Sequence, residues 1–157
     1  MATPVETSGM IAAVPTTAGY SGTPLPRKLG IKDGHRVLLS QAPEGFTLEV
    51  SPEVTVDRRP GRGPYDVLLL FTTAARDLDR RFPALAARMD QAGGLWVCWP
   101  KRTARGTARL DSDLDENVVR AVGLDAGLVD NKVCAIDETW SALRFVVRKA
   151  DRTIDRH

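Results

Sequence analysis

The sequence predicts an α/β domain in which helices layer a mostly parallel sheet that closes on an antiparallel hairpin. Three observations support this. The apolar runs at 36–40 (RVLLS), 67–71 (VLLLF) and 95–99 (LWVCW) are continuous, as expected for strands covered on both faces. Helical spacing separates them, with Leu78, Phe82, Leu85 and Met89 in one stretch and Val118, Val119 and Val122 in another. Near the end, two runs at 133–136 and 143–147 flank a short polar turn, the pattern of a hairpin.

Each element has a local reason. Residues 1–18 are rich in Ala, Thr and Pro without a period and read as a flexible tail, 19–150 as one domain, and 151–157 as a short second tail. Thr23-Pro24 has the form of an N-cap with proline at the first helical position, and Gly30 closes that helix. Leu25 and Leu29 pin it to the core. After the turn Lys32-Asp33-Gly34 comes the first strand, then a loop over 41–45 (QAPEG), a short helix over 46–50 and a strand over 54–57. The breaker 60–64 (PGRGP) precedes the 67–71 strand. A helix is expected over 75–91, kinked or restarted by Pro83 and ended by Gly93-Gly94. A basic loop over 101–110 leads to a helix with Asp113 and Glu116 in capping-box spacing and Gly127 at its close.

Composition limits the function classes. At 157 residues, with 43% hydrophobic and 27% charged, the chain is a one-domain globular protein and not a disordered one. Lys and Arg number 22 against 20 Asp and Glu, so a net charge of +2 lends no general support to nucleic-acid or membrane binding. No apolar run approaches the roughly 20 residues of a membrane span, and the first residues lack a secretory pattern. Cys98 and Cys134 lie in strand-like runs and read as buried, reduced thiols; two cysteines do not make a zinc site. A cytoplasmic location follows as the expectation. The sequence names no cofactor and no metal.

In open α/β sheets ligands bind outside the carboxyl ends of the strands, beside the point where strand order reverses. That rule selects Gln41, Pro43, Glu44, Gly45, Thr72, Thr73, Trp99 and Lys101 as lining residues. Glu44 would accept hydrogen bonds from a ligand hydroxyl or amine, and Lys101 would hold an anion; the plain alternative is that 43–45 build a tight turn. Trp96 and Trp99 fall on opposite faces of one strand, and core packing is the simpler reading of both. Ser21 and Thr23 offer hydroxyls before a helix start, as an anion site would, but the segment lacks the Gly-Lys-Ser/Thr ending of a P-loop. Lys101, Arg102, Arg105 and Arg109 could engage phosphates, while Asp111, Asp113, Asp115 and Glu116 follow at once and would repel them. A solvated loop therefore ranks ahead of a nucleic-acid site. Trp140, in the turn with Asp137 and Glu138, is a candidate interface anchor for a protein partner or a homodimer, or else packs back on the domain. Neither His35 nor His157 has an acidic or cysteine partner at catalytic or metal spacing.

Two segments resemble the class I methyltransferase pattern. Residues 28–39 (KLGIKDGHRVLL) are similar to the helix, turn and first strand before its cofactor loop, and 85–97 to its helix and late strand. The resemblance implies a three-layer, Rossmann-like fold with one helix–strand unit missing and a closing antiparallel pair. Where such enzymes place a glycine-rich loop, this chain has 40–45 (SQAPEG); Pro43 removes an N–H and only Gly45 remains. Asp57 stands where an acidic residue would meet ribose hydroxyls. The motifs 19–25 (GYSGTPL), 42–46 (APEGF), 94–101 (GLWVCWPK) and 132–141 (KVCAIDETWS) also resemble a small actinobacterial family known as a domain of unknown function. That second resemblance implies the fold and a bacterial cytosolic setting, and no activity; the methyltransferase-like scaffold with its glycine loop replaced points to a non-catalytic binding or interaction module. The alternatives are a small-ligand sensor or enzyme for an adenosine-containing compound, and a weak nucleic-acid binder through 101–109.

Overall fold

The computed structural model describes residues 23–101 and 112–151. The elements are helix α1 (Leu25–Lys28), strands β1 (Arg36–Ser40), β2 (Thr55–Asp57) and β3 (Tyr65–Phe71), helix α2 (Ala75–Ala86), strand β4 (Met89–Pro100), helix α3 (Glu116–Asp125), and strands β5 (Leu128–Ala135) and β6 (Trp140–Val147). They form one sheet in the order β2-β1-β3-β4-β6-β5. The pairs among β1, β2, β3 and β4 are parallel, and β6 runs antiparallel between β4 and β5. This is the α/β architecture with a terminal hairpin that the apolar runs predict.

Period-two alternation divides the buried residues between the two faces. Leu38, Leu68, Leu70, Leu95, Val97, Trp99, Leu143 and Phe145 point to the side covered by α2 and α3, which contribute Leu78, Phe82 and Val119. Val37, Leu39, Val67, Leu69, Phe71, Trp96, Cys98 and Ala142 point to the other side. There the cover is thin: the single turn α1 with Leu29, and irregular chain supplying Phe46, Leu48 and Val54. The helix expected over 46–50 does not form. Phe46 and Leu48 dock singly on the sheet, and with polar Thr47 and Glu49 the segment alternates at period two instead of following a helical face.

Other local expectations change for tertiary reasons. The helix expected to run to residue 91 stops at Ala86, and Gly93-Gly94 lies inside β4. A Cβ on Gly93 would stand 2.6 Å from the Asp66 carbonyl oxygen, so the glycine admits close backbone approach where the β3–β4 register shifts. Pro83 neither starts a second helix nor ends the first; α2 continues through it. Asp113 does not cap α3. Its carboxylate accepts from the Ala75 N–H at 2.8 Å, at the start of α2, and Asp115 caps α3 by accepting from the Val118 N–H. The cap position of α1 is Pro24, one residue after Thr23, with no side-chain capping bond. The expected tails over 1–18 and 152–157 lie outside the described residues.

Gly123 shows how tightly α3 sits on the sheet. A Cβ there would fall 2.1 Å from Phe145 Cε1, and Phe145 is held edge-on to Phe82 at 5.5 Å and 88°. Gly123→Ala would gain about 1 kcal/mol of helix propensity, whereas overpacking a fixed ring costs about 1–3 kcal/mol. The clash lies at the upper end of that range, so a net loss of about 1–2 kcal/mol is expected, read as a lowered denaturation midpoint.

Candidate functional site

From β1 the chain passes to β2 on one side and then to β3 on the other, so the strand order reverses between β1 and β3. That is the position at which an open α/β sheet takes its ligands. Here a side chain of the protein spans it. The Arg81 guanidinium, projected from the second turn of α2, donates through Nη2 to Ser40 Oγ at 2.6 Å and through Nη1 to the Phe71 carbonyl at 2.9 Å. It thereby ties the ends of β1 and β3 together. Nη1 also donates to Asp77 Oδ2 at 2.6 Å, and the Thr72 hydroxyl donates to the same oxygen at 2.8 Å. Arg80 meets Asp77 Oδ1 at 2.7 Å. Partial burial works to raise the Asp77 carboxyl, but the hydrogen bonds from Arg81, Thr72 and Arg80 outweigh it and hold its pKa below the ordinary value. A bidentate guanidinium is suited to such a clamp because its donors lie in one rigid plane.

This network takes up Thr72 among the residues selected from sequence; Thr73 is half-buried beside it. Arg81 itself was not selected. Its only signal was the Asp77–Arg81 spacing, which in a helix reads as a surface ion pair.

The loop after β1 turns away from this point. Gln41 adopts φ +59°, a left-handed conformation that glycine takes at less cost, and the Phe46 N–H closes a turn onto the Pro43 carbonyl at 3.0 Å. Pro43, Glu44 and Gly45 form one wall of a groove of about 470 Å³, and the β5–β6 turn with Ile136 and Trp140 forms the other. Phe46 and Trp140 supply its aromatic floor, each packed edge-on against the buried Phe71 beneath, at 5.1 and 5.2 Å. Asp137 shapes the turn, its Oδ1 accepting from the Thr139 and Trp140 N–H groups at 2.8 and 2.9 Å. The Lys101 N–H donates to the Thr139 carbonyl at 2.7 Å and so fastens β4 to the same turn.

The structure thus gathers Pro43, Glu44, Gly45 and Trp140, which the sequence offered as two separate sites. Trp140 is only 8% exposed and its ring belongs to the floor. Trp99 lies on the opposite face of the sheet, buried with Leu114. Gln41 is exposed. Thr23 lines a different cleft, near Lys132 and Cys134. Ser21, Arg102, Arg105 and Arg109 lie outside the described residues. Asp57 is engaged internally, accepting from the Tyr65 hydroxyl at 2.5 Å beside Arg36 at 3.6 Å. Burial pushes the Cys98 thiol well up and raises Cys134 as well, against the pull of Lys28 and Lys132, so both stay protonated near neutrality. Among the described residues no group of three His, Cys, Asp or Glu stands ready to hold a metal ion, and no helix is long and apolar enough to cross a membrane.

Solved structures share the architecture. A cysteine-to-alanine variant of LepI in complex with SAH and a substrate analogue superposes with a TM-score of 0.50 at 14% identity, over 79% of this chain and 39% of that one. The fold is the Rossmann-like methyltransferase fold. Magnesium protoporphyrin IX methyltransferase (ChlM) from Synechocystis PCC 6803 with bound SAH aligns at 0.47 and 14% identity, over 60% of this chain and 51% of that one. A SAM dependent methyltransferase from Aquifex aeolicus aligns at 0.49 and 14%, over 78% and 87%. The chain therefore spans about half the length of ChlM and less of LepI. No protein-family model and no curated protein matches the sequence.

Proposed function

We propose that this chain is a non-catalytic binding module built on the methyltransferase fold, which engages a protein partner in the groove between the 43–47 loop and the β5–β6 turn. The observation behind this reading is Arg81. Its guanidinium lies across the strand ends where a SAM-type cofactor would enter a sheet of this order. The neighbouring loop does not fit such a cofactor either: Gln41 stands at a left-handed position, and Pro43 has no N–H to offer. The groove, by contrast, combines an apolar aromatic floor with the exposed Glu44 at its rim, a combination used in protein recognition. The motifs 42–46 and 132–141, through which the chain resembles the small actinobacterial family, form its two walls, so a role shared with that family would lie here. The cytosol is the compartment in which such a module would work.

Isothermal titration with S-adenosylmethionine and S-adenosylhomocysteine tests the reading. Neither is expected to bind saturably at millimolar concentration. Saturable binding of either, weakened by Glu44→Gln, would overturn it in favour of an adenosine-compound sensor or enzyme.

A further inference from the structure

The groove between the 43–47 loop and the β5–β6 turn has a chemical bias that narrows its partner; the inference rests on the reading of that groove as a protein-binding site. Its apolar lining is Leu25, Phe46, Ile136 and Trp140, all packed on the thinly covered face of the sheet. An apolar side chain is the natural occupant of such a floor.

The backbone of both walls is already engaged. The Pro43 carbonyl accepts from the Phe46 N–H at 3.0 Å, and the Phe46 carbonyl accepts from the Arg58 guanidinium. On the other wall the Thr139 carbonyl accepts from the Lys101 N–H at 2.7 Å, and the Trp140 carbonyl from the Ile136 N–H at 2.9 Å. With those acceptors taken, a partner is held through its side chains and not by adding a strand.

The charge of the lining has one sign. Glu44 belongs to one wall and Asp137 to the opposite one, and no Lys or Arg lines the groove with them. Glu44 is exposed and has no hydrogen bond or ion pair among the described residues. Asp137 commits Oδ1 to the Thr139 and Trp140 N–H groups, and the exposed Glu138 follows it in the turn. This local acidity runs against the chain's net charge of +2.

We infer that the groove takes a partner segment in which an apolar side chain stands next to Arg or Lys. The apolar side chain settles on Phe46 and Trp140, and the cation is met by Glu44 and Asp137 from the two walls. An acidic partner is rejected by the same two carboxylates, so charge sets the choice of partner while the floor supplies contact.

A random dodecapeptide library displayed on phage, selected on the full chain, tests this. The recovered peptides are expected to share an apolar residue beside Arg or Lys. A synthetic peptide of that sequence should bind saturably and more weakly as salt rises. Glu44→Lys, which replaces attraction by repulsion, should weaken it about tenfold at low salt. Thr47→Trp, which fills the groove without changing its charge, should abolish binding. Both positions are exposed, and circular dichroism confirms that the variants fold. Peptides that are lost on Thr47→Trp but indifferent to Glu44→Lys overturn the charge preference and leave the groove as a binding site. Peptides indifferent to both substitutions, or no enrichment at all, overturn the inference together with the reading on which it rests.

Discussion

Arg81→Ala is expected to lower the unfolding free energy by about 2–3 kcal/mol, below the about 3–5 kcal/mol for breaking a fully buried ion pair and above the less than about 1 for an exposed one. The intermediate figure follows from the geometry. The Arg81 side chain is 12% exposed and Asp77 29%, and Arg80 remains to partner the carboxylate. Three acceptors lose a donor: Ser40 Oγ, the Phe71 carbonyl and Asp77. Arg81→Lys should recover little, because an ammonium on a single stem does not span the ends of both strands in the plane of a guanidinium. Urea denaturation across pH distinguishes this clamp from generic packing. The Asp77 pKa is depressed in the folded state, so its contribution is fully present above the unfolded value of 3.8 and is lost as pH falls through the lower folded value. The gap between the wild type and Arg81→Ala should therefore be constant near neutrality and narrow below pH 3.8. A gap that stays constant into strong acid would show that the ion pair is not its source.

Trp96→Ala should cost more, about 4 kcal/mol, within the range for truncating a buried Trp. Trp96 is fully buried at the centre of the sheet, on the thinly covered face. Its indole N–H donates to the Leu29 carbonyl at 3.1 Å, across 67 residues of sequence. That bond is what fastens α1 to β4, since α1 is too short to hold itself by helical hydrogen bonds alone. Trp96→Phe keeps most of the volume and leaves the Leu29 carbonyl without its donor, so a smaller loss of about 1–3 kcal/mol is expected. Equilibrium unfolding of the two variants separates packing from the bond: equal losses would assign the whole effect to the hydrogen bond.

The strands were legible because a strand buried on both faces needs an unbroken apolar run, and 36–40, 67–71 and 95–99 are such runs. The helices α2 and α3 were legible for the matching reason at period 3.6. What misled were residues whose role depends on a neighbour distant in sequence. Gly93-Gly94 reads as a helix stop, yet it lies in a strand because the Asp66 carbonyl and Arg144 need the space. Asp113 reads as the cap of the helix that follows it, yet it caps the helix that precedes it, 38 residues away. The segment 46–50 reads as a helix, and instead Phe46 and Leu48 dock on a face whose only described helix is the single turn α1.

The site divides along the same line. That ligands should be sought at the carboxyl ends of the strands followed from the predicted mostly parallel α/β sheet, whereas the reversal of strand order between β1 and β3 came from the assembled sheet. That Pro43, Glu44 and Gly45 share a groove with Trp140 required the sheet to bring β1 and β6 to one end. That Arg81 turns inward across the strand ends required the distance between Ser40 and Phe71, which no spacing along α2 encodes. Periodicity records which face of an element is buried, and it determined the layers of this protein. Which side chains meet across those layers depends on strand order, register and the small residues that let backbones approach, and only the assembled sheet decided it.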